Sequence, residues 1–203
     1  MPKIVDHNLY RKEMLSKCLD LFALHGYGSI TMRQIAAGLG VSTGTLYHYF
    51  PSKESLFEQL VEYLSYEDTK EQILAELGNP PTLAGKIEAM MNFIAKNEAY
   101  FLKQLFILVD FCQGQDRKEI DGNKALQAAI KRYEKVLAEY LNISDPEIIL
   151  FIFNFIDGLL LRRLFQGERI SFTEQANLLA NMLSSYGKEN LIQEKRMYES
   201  SVV

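Results

Sequence analysis

Residues Thr31 to Lys53 read TMRQIAAGLGVSTGTLYHYFPSK, and this stretch decides the fold. Met32, Ile35, Ala36 and Leu39 recur at the spacing of one apolar face of an α-helix. Thr31 stands ahead of them as N-cap, and Gln34, three residues on, completes a capping box. Gly40 follows where a glycine takes the left-handed backbone that ends a helix, and Val41 and Ser42 lead into a second helix of about two turns. Only Leu46 and Phe50 in that second helix are directed at a core. Thr43, Thr45, Tyr47, His48 and Tyr49 are left to point elsewhere, a poor use of surface unless something polar is gripped. Two helices joined by a tight turn, the second short and rich in hydrogen-bonding groups, match the helix-turn-helix, whose second helix enters the major groove of DNA.

Residues Thr31 to Phe57, above all GVSTGTLYHYFPSKESLF from Gly40, resemble the signature of the tetracycline-repressor-like (TetR) family of transcriptional regulators. The resemblance covers roughly residues 7 to 64; beyond Leu64 no motif identifies anything. It implies a DNA-binding head followed by a helical domain that binds an effector and dimerises.

The rest of the chain reads as helix. Leu15, Cys18, Leu19 and Phe22 predict a first helix ending at Gly26, and Ser52 caps a fourth whose stripe is Leu56, Phe57, Leu60, Val61 and Leu64. That fourth helix is expected to run unbroken from Lys53 to Leu77, before Gly78-Asn79-Pro80-Pro81, a rod of about 37 Å. Ala84 to Ala95 and Tyr100 to Phe111 are predicted helices, Cys112 to Asn123 a polar exposed loop, and Leu126 to Tyr140 another amphipathic helix. Ser144 with Glu147 and Ser171 with Glu174 predict the starts of the last two. The fold class is therefore all-α: an N-terminal three-helix helix-turn-helix head, residues 1–52, and a C-terminal helical bundle for ligand binding and dimerisation, residues 53–203.

Composition agrees with a globular protein and narrows the function. Of 203 residues 48% are hydrophobic and 24% charged, an ordinary mixture. The formal charge of -4 argues against binding nucleic acid by bulk attraction, yet residues 1–64 hold six Lys/Arg and six Asp/Glu, so the head itself is neutral. A neutral head needs few, well-placed phosphate contacts and two heads per site, which points to a palindromic operator. Cys18 and Cys112 are too few and too far apart for a disulfide scaffold and suit a reducing cytoplasm. MPKIVDHNLYRKEM, at the start, lacks the apolar core of a signal peptide. The greasiest run, Ile148 to Leu161, is broken by Asn154 and Asp157 and falls short of the roughly 20 apolar residues a membrane helix needs.

Candidate DNA contacts follow from chemistry. Helix N-termini present free amides, so Thr31 and the segment Ser42, Thr43, Gly44 are candidates to hold phosphate, with Tyr47 and Lys53 adding a phenol and an ammonium. Arg33, Thr43, Thr45, His48 and Tyr49 are candidates for base edges or thymine methyls. The resemblance carries DNA contact onto the same positions.

Two apolar clusters bear on the remainder. Met90, Phe93, Ile94, Phe101, Leu105, Phe106 and Phe155 are expected to line a pocket for a small, largely apolar effector, although a Met and Phe stripe at helical spacing is also what plain core looks like. The helix from Ser144 is apolar nearly all round and must be covered on every side. Phe153, Ile156, Leu160 and Leu164, with Leu178, Leu179 and Met182 of the next helix, are expected to form a four-helix interface between two copies. His7, His25 and His48 show no metal-site spacing, no glycine-rich phosphate loop follows a strand, and no catalytic residue, metal or cofactor is expected. The reading is a homodimeric repressor released by its ligand; the alternatives are an activator of the same type and a helical binding or adaptor protein without specific DNA binding.

Overall fold

The computed structural model describes the backbone of residues 6–201 and the side chains of residues 6–186; Met1 to Val5, the start of the stretch expected to carry no leader, lie outside. The described residues form α1 (His7–His25), α2 (Met32–Leu39), α3 (Thr43–Tyr49), α4 (Lys53–Thr69), α5 (Glu71–Leu77), α6 (Leu83–Lys96), α7 (Glu98–Gln113), α8 (Arg117–Gly122), α9 (Lys124–Leu141), α10 (Pro146–Gln166) and α11 (Phe172–Ser201), with one 3₁₀ turn at Gly167–Arg169 and no strand. Packing divides them into two compact units, Met1–Ile73 with Ala99–Leu137, and Leu74–Glu98 with Ala138–Val203. This division does not fall at residue 52.

In the first unit, α1 begins where Asp6 accepts the amides of Asn8 and Leu9 and ends at Gly26, whose φ of 78° suits a residue without a side chain. Cys18, Phe22, Ile35, Leu46, Phe50, Leu56, Phe57 and Leu60 are almost wholly buried in one core, and Ile107 and Phe111 of α7 belong to it. Full burial of such side chains stabilises by about 1.5–3 kcal/mol each. The head is therefore built around α4 and part of α7 as well as its own three helices. Burial pushes the Cys18 thiol up to about 12, which makes it a packing residue rather than a nucleophile.

The rod expected from Lys53 to Leu77 is two helices. α4 stops at Thr69, and Lys70 takes an extended backbone (φ −72°, ψ 159°) before α5. The Thr69 hydroxyl donates back to the Ser65 carbonyl, a bond that competes with the helical ladder. Asp68, one residue earlier, is drawn to Tyr100, Gln104 and Tyr133. No residue of α5 is buried, so no apolar stripe carries the helix onward. The loop expected between Cys112 and Asn123 contains α8, started by a capping box in which Asp116 accepts the Glu119 amide and Glu119 the Asp116 amide. Asn123, buried, then caps α9 through the Leu126 amide and donates to Glu58 of α4.

The second unit contains α6, α10 and α11, and α6 packs on α11. Asp145, not Ser144, caps α10: it accepts the Glu147 amide at 2.9 Å, and Pro146 fills the first helical position. Proline there arrives with the helical φ already set, which outweighs the Ser144/Glu147 spacing. Ser171 does precede α11 and accepts the Glu174 amide at 3.3 Å. Arg163 forks onto Glu98, at 2.7 and 3.1 Å, and its guanidinium lies over the Phe172 ring.

Candidate nucleic-acid interface

Local sequence explains the paired helices of the head. Thr31 caps α2 in a full capping box with Gln34, and Gly40, at φ 70° and ψ 28°, closes it in the left-handed region. Ser42 then caps α3 by accepting the Thr45 amide at 3.0 Å. Leu46, Tyr49 and Phe50 anchor α3 in the core. Thr43, Gly44, Tyr47 and His48 stay exposed, Thr45 is half-buried, and Arg33 projects from α2 into solvent. Tyr47 keeps 49% of its surface exposed, large for an aromatic side chain in an otherwise well-packed head.

Two expected contact residues are committed elsewhere. Tyr49 is buried, its hydroxyl hydrogen-bonded to His7 Nδ1 at 2.6 Å and its ring edge-on to Tyr10 at 5.6 Å, so its phenol faces α1. Helical periodicity directs only Leu46 and Phe50 inward; Tyr49 joins them because α1 supplies an aromatic seat that the local sequence does not reveal. The Lys53 ammonium donates to the carbonyls of Tyr27 (2.7 Å), Gly28 (3.3 Å) and Ile30 (3.1 Å) and sits 4.7 Å from the Tyr27 ring centre. Thr31 keeps its place beside the exposed start of α2, with its hydroxyl donating to Gln34 Oε1 at 2.7 Å. The fold brings His7 to within 6.3 Å of His48 and Arg11 to 5.8 Å from the Tyr49 ring. Nothing in the spacing of residues 7 and 11 announces that they border α3.

This arrangement has recognisable counterparts. Residues 15–60 match the profile described as bacterial regulatory proteins, tetR family. The HTH-type transcriptional repressor Rv1474c of Mycobacterium tuberculosis is 30% identical over 178 residues, which cover 83% of this chain and 90% of that protein. The chain belongs to the TetR family. Its head is also 41% identical over 54 residues to the transcriptional repressor KstR2 of M. tuberculosis, a match that spans only 27% of either protein. Beyond sequence, the transcriptional regulator FadR of Bacillus subtilis, solved in complex with stearoyl-CoA, shares the fold with a TM-score of 0.61, at 17% identity over 84% of this chain and 96% of that one.

In this TetR-family chain the other expected site residues are distributed as follows. Met90 and Ile94 are buried and Phe93 half-buried on α6, and Phe155 is half-buried on α10, all in the second unit. Phe101 and Leu105, half-buried, and Phe106, 41% exposed, lie on α7 in the first. Among the residues expected to meet a second copy, Leu160 and Leu179 are already buried within the single chain, and Phe153 and Ile156 are half-buried. Leu164, Leu178 and Met182 are each 50% exposed. Leu150, Phe151 and Phe165 on α10 and Tyr186 on α11 are exposed as well. Leu178, Met182 and Tyr186 recur every four residues and make one apolar stripe along α11. Among the described residues no group of three or more His, Cys, Asp or Glu is placed to hold a metal ion, and no helix is long and apolar enough to cross a membrane.

Proposed function

We propose that this protein is a homodimeric transcriptional repressor that reads DNA through α3 and leaves its operator when a small, largely apolar ligand binds. The observation that carries the reading is α3 itself: three residues fix it to the core, and the remainder of its surface, Thr43, Gly44, Tyr47 and His48, is offered to a partner. Arg33, Thr43, Thr45 and His48 are assigned to base edges, and Tyr47 with the Thr31 and Ser42 turns to the phosphate backbone. Tyr49 and Lys53 belong behind this surface. Repression rather than activation is supported by the relatives Rv1474c and KstR2, both named as repressors. Selection of bound fragments from the source genome, followed by sequencing, tests the reading; enrichment of no fragment would leave a helical binding protein without DNA specificity.

Tyr47→Ala is expected to weaken binding about three- to tenfold on every sequence bound, with the salt slope unchanged because a neutral phenol displaces no counterion. Electrophoretic mobility shift across several salt concentrations reads both quantities. Unchanged affinity would place the DNA surface elsewhere.

A homodimer is supported by the exposed apolar side chains of α10 and α11, which a single chain leaves uncovered. Two heads then grip half-sites of a palindrome about 34–36 Å apart, or a multiple of that spacing. For the ligand, the apolar and Met-rich face of α6 supports a compound of largely apolar character, and a protein of the same fold, B. subtilis FadR, was solved with stearoyl-CoA. A ligand found by thermal-shift screening is expected to change operator affinity by about 5- to 150-fold, the range that differential binding to two conformations supplies. A compound that saturates the protein and leaves operator affinity unchanged defeats the release mechanism.

A further inference from the structure

The segment between α1 and α2 is held by side chains from two distant helices. After Gly26 the chain turns through Tyr27, Gly28, Ser29 and Ile30 to reach the N-cap Thr31. On one side the Lys53 ammonium, at the start of α4, gathers the carbonyls of Tyr27, Gly28 and Ile30. On the other, Asp110 near the end of α7 accepts the Gly28 amide at 3.0 Å. A side chain at Gly26 would place its Cβ 3.3 Å from the same Asp110 carboxylate, so the turn fits closely against it. Between them the Tyr27 ring is seated edge-on to Phe57 and Phe111, each at 5.1 Å, and those two rings stack at 3.9 Å.

We propose that Asp110 and Lys53 are positioning residues for DNA binding, which clamp the Gly26–Ile30 turn and thereby hold the exposed start of α2, Thr31 to Arg33, in the register the duplex requires. The Ile30 carbonyl held by Lys53 lies one residue from the Thr31 cap and three from Arg33. An ammonium already shared among three carbonyls and an aromatic face contributes to DNA affinity through the backbone it fixes, not through a phosphate. α7 is tied to the same unit at other points, by Lys103 to Asp20 of α1 at 2.6 Å and by Tyr100 and Gln104 to Asp68 of α4. A shift of α7 is therefore delivered to the turn by Asp110. This proposal rests on the DNA-binding reading above.

The test uses the full-length protein and short duplexes enriched from a random pool by the wild type, with affinity measured between about 50 and 200 mM salt. Lys53→Met is expected to weaken binding about tenfold and Asp110→Leu about three- to tenfold, each with the wild-type slope of log K against log salt. Asp110→Asn removes the charge but keeps an acceptor for the Gly28 amide, and is expected to stay within about twofold of wild type. Thermal melts accompany each variant; if Asp110→Leu does not fold, Asp110→Ser, too short to reach Gly28, takes its place. Three results overturn the proposal: a slope reduced by about one unit in Lys53→Met, which marks a phosphate contact; Asp110→Leu or its Ser replacement binding as well as wild type; or Asp110→Asn binding as weakly as Asp110→Leu. Wild-type protein that enriches no duplex overturns the DNA-binding reading as well, whereas the three results above leave that reading standing.

Discussion

Asp68→Ala is expected to lower the unfolding free energy by about 2–4 kcal/mol, because it strips the shared acceptor from three polar side chains at once. The Asp68 carboxylate accepts the Tyr100 hydroxyl at 2.6 Å, the Tyr133 hydroxyl at 2.7 Å and the Gln104 amide at 2.8 Å. Burial, followed by the adjacent carboxylate, holds both phenols well above the ordinary tyrosine range, so they remain protonated donors. Alanine leaves donors from α7 and α9 facing a gap where α4 ends, and the last turn of α4 loses its hydrogen bonds to Tyr100, Gln104 and Tyr133, while Arg132 of α9 still reaches Ser65 and the Tyr66 ring. Urea unfolding reads the effect as a lower midpoint at unchanged slope. A midpoint within experimental error of wild type would show that water replaces the carboxylate without cost.

The same group gives the stability a pH dependence whose sign is opposite to that of an ion-paired carboxylate. Burial raises the Asp68 pKa, and its three hydrogen-bond donors offset the rise only in part. A carboxyl with a folded-state pKa above its unfolded value favours the folded state most when protonated. Its contribution is fully present below the unfolded value, about 3.9, and is lost as pH rises through the folded one. The gap in stability between wild type and Asp68→Ala should therefore widen as the pH is lowered from neutral. A gap that narrows would show that the donors, not burial, dominate.

What was legible in the sequence is what local physics decides. α2 and α3 follow from a four-residue apolar stripe, a capping box and one left-handed glycine, all within a dozen positions, and those features recur where expected. The features that escaped are set by partners far along the chain. Asp68 meets groups 32 to 65 residues away, Tyr49 meets His7 at a separation of 42, and Asp110 meets Gly28 at 82. None of these leaves a periodic trace. The break after Thr69 belongs to the same class, since it coincides with the Asp68 contacts and with the loss of any buried face. The Asp116/Glu119 box was of the other kind: a local signal present in the sequence but masked by the polar composition around it. α10 shows the limit of a helical wheel. Its apolar residues look alike on every side, yet Ile149, Ile152, Leu159 and Leu160 are buried in the single chain whereas Leu150, Phe151, Leu164 and Phe165 are not.

That division of α10 and α11 into buried and exposed apolar residues also determines which substitution tests the dimer. Leu160 is 3% exposed within one chain, so Leu160→Glu buries an unpaired charge in the protomer and is expected to unfold it rather than dissociate it. Met182, 50% exposed beside Leu178 and Tyr186, leaves a charge room to stay in water as long as the chain is alone. Met182→Glu is therefore expected to yield a folded species near 23.3 kDa where the wild type, as the proposed homodimer, is expected to have about twice that mass. Dissociation turns the second head's binding from an intramolecular into a bimolecular event, so operator affinity should fall by about 10²–10⁴-fold even though no DNA-facing residue has changed. Sedimentation equilibrium and mobility shift on the same samples separate the two effects. A wild-type mass of one chain at micromolar concentration would remove the dimer. A Met182→Glu protein that remains dimeric would move the interface off this stripe of α11.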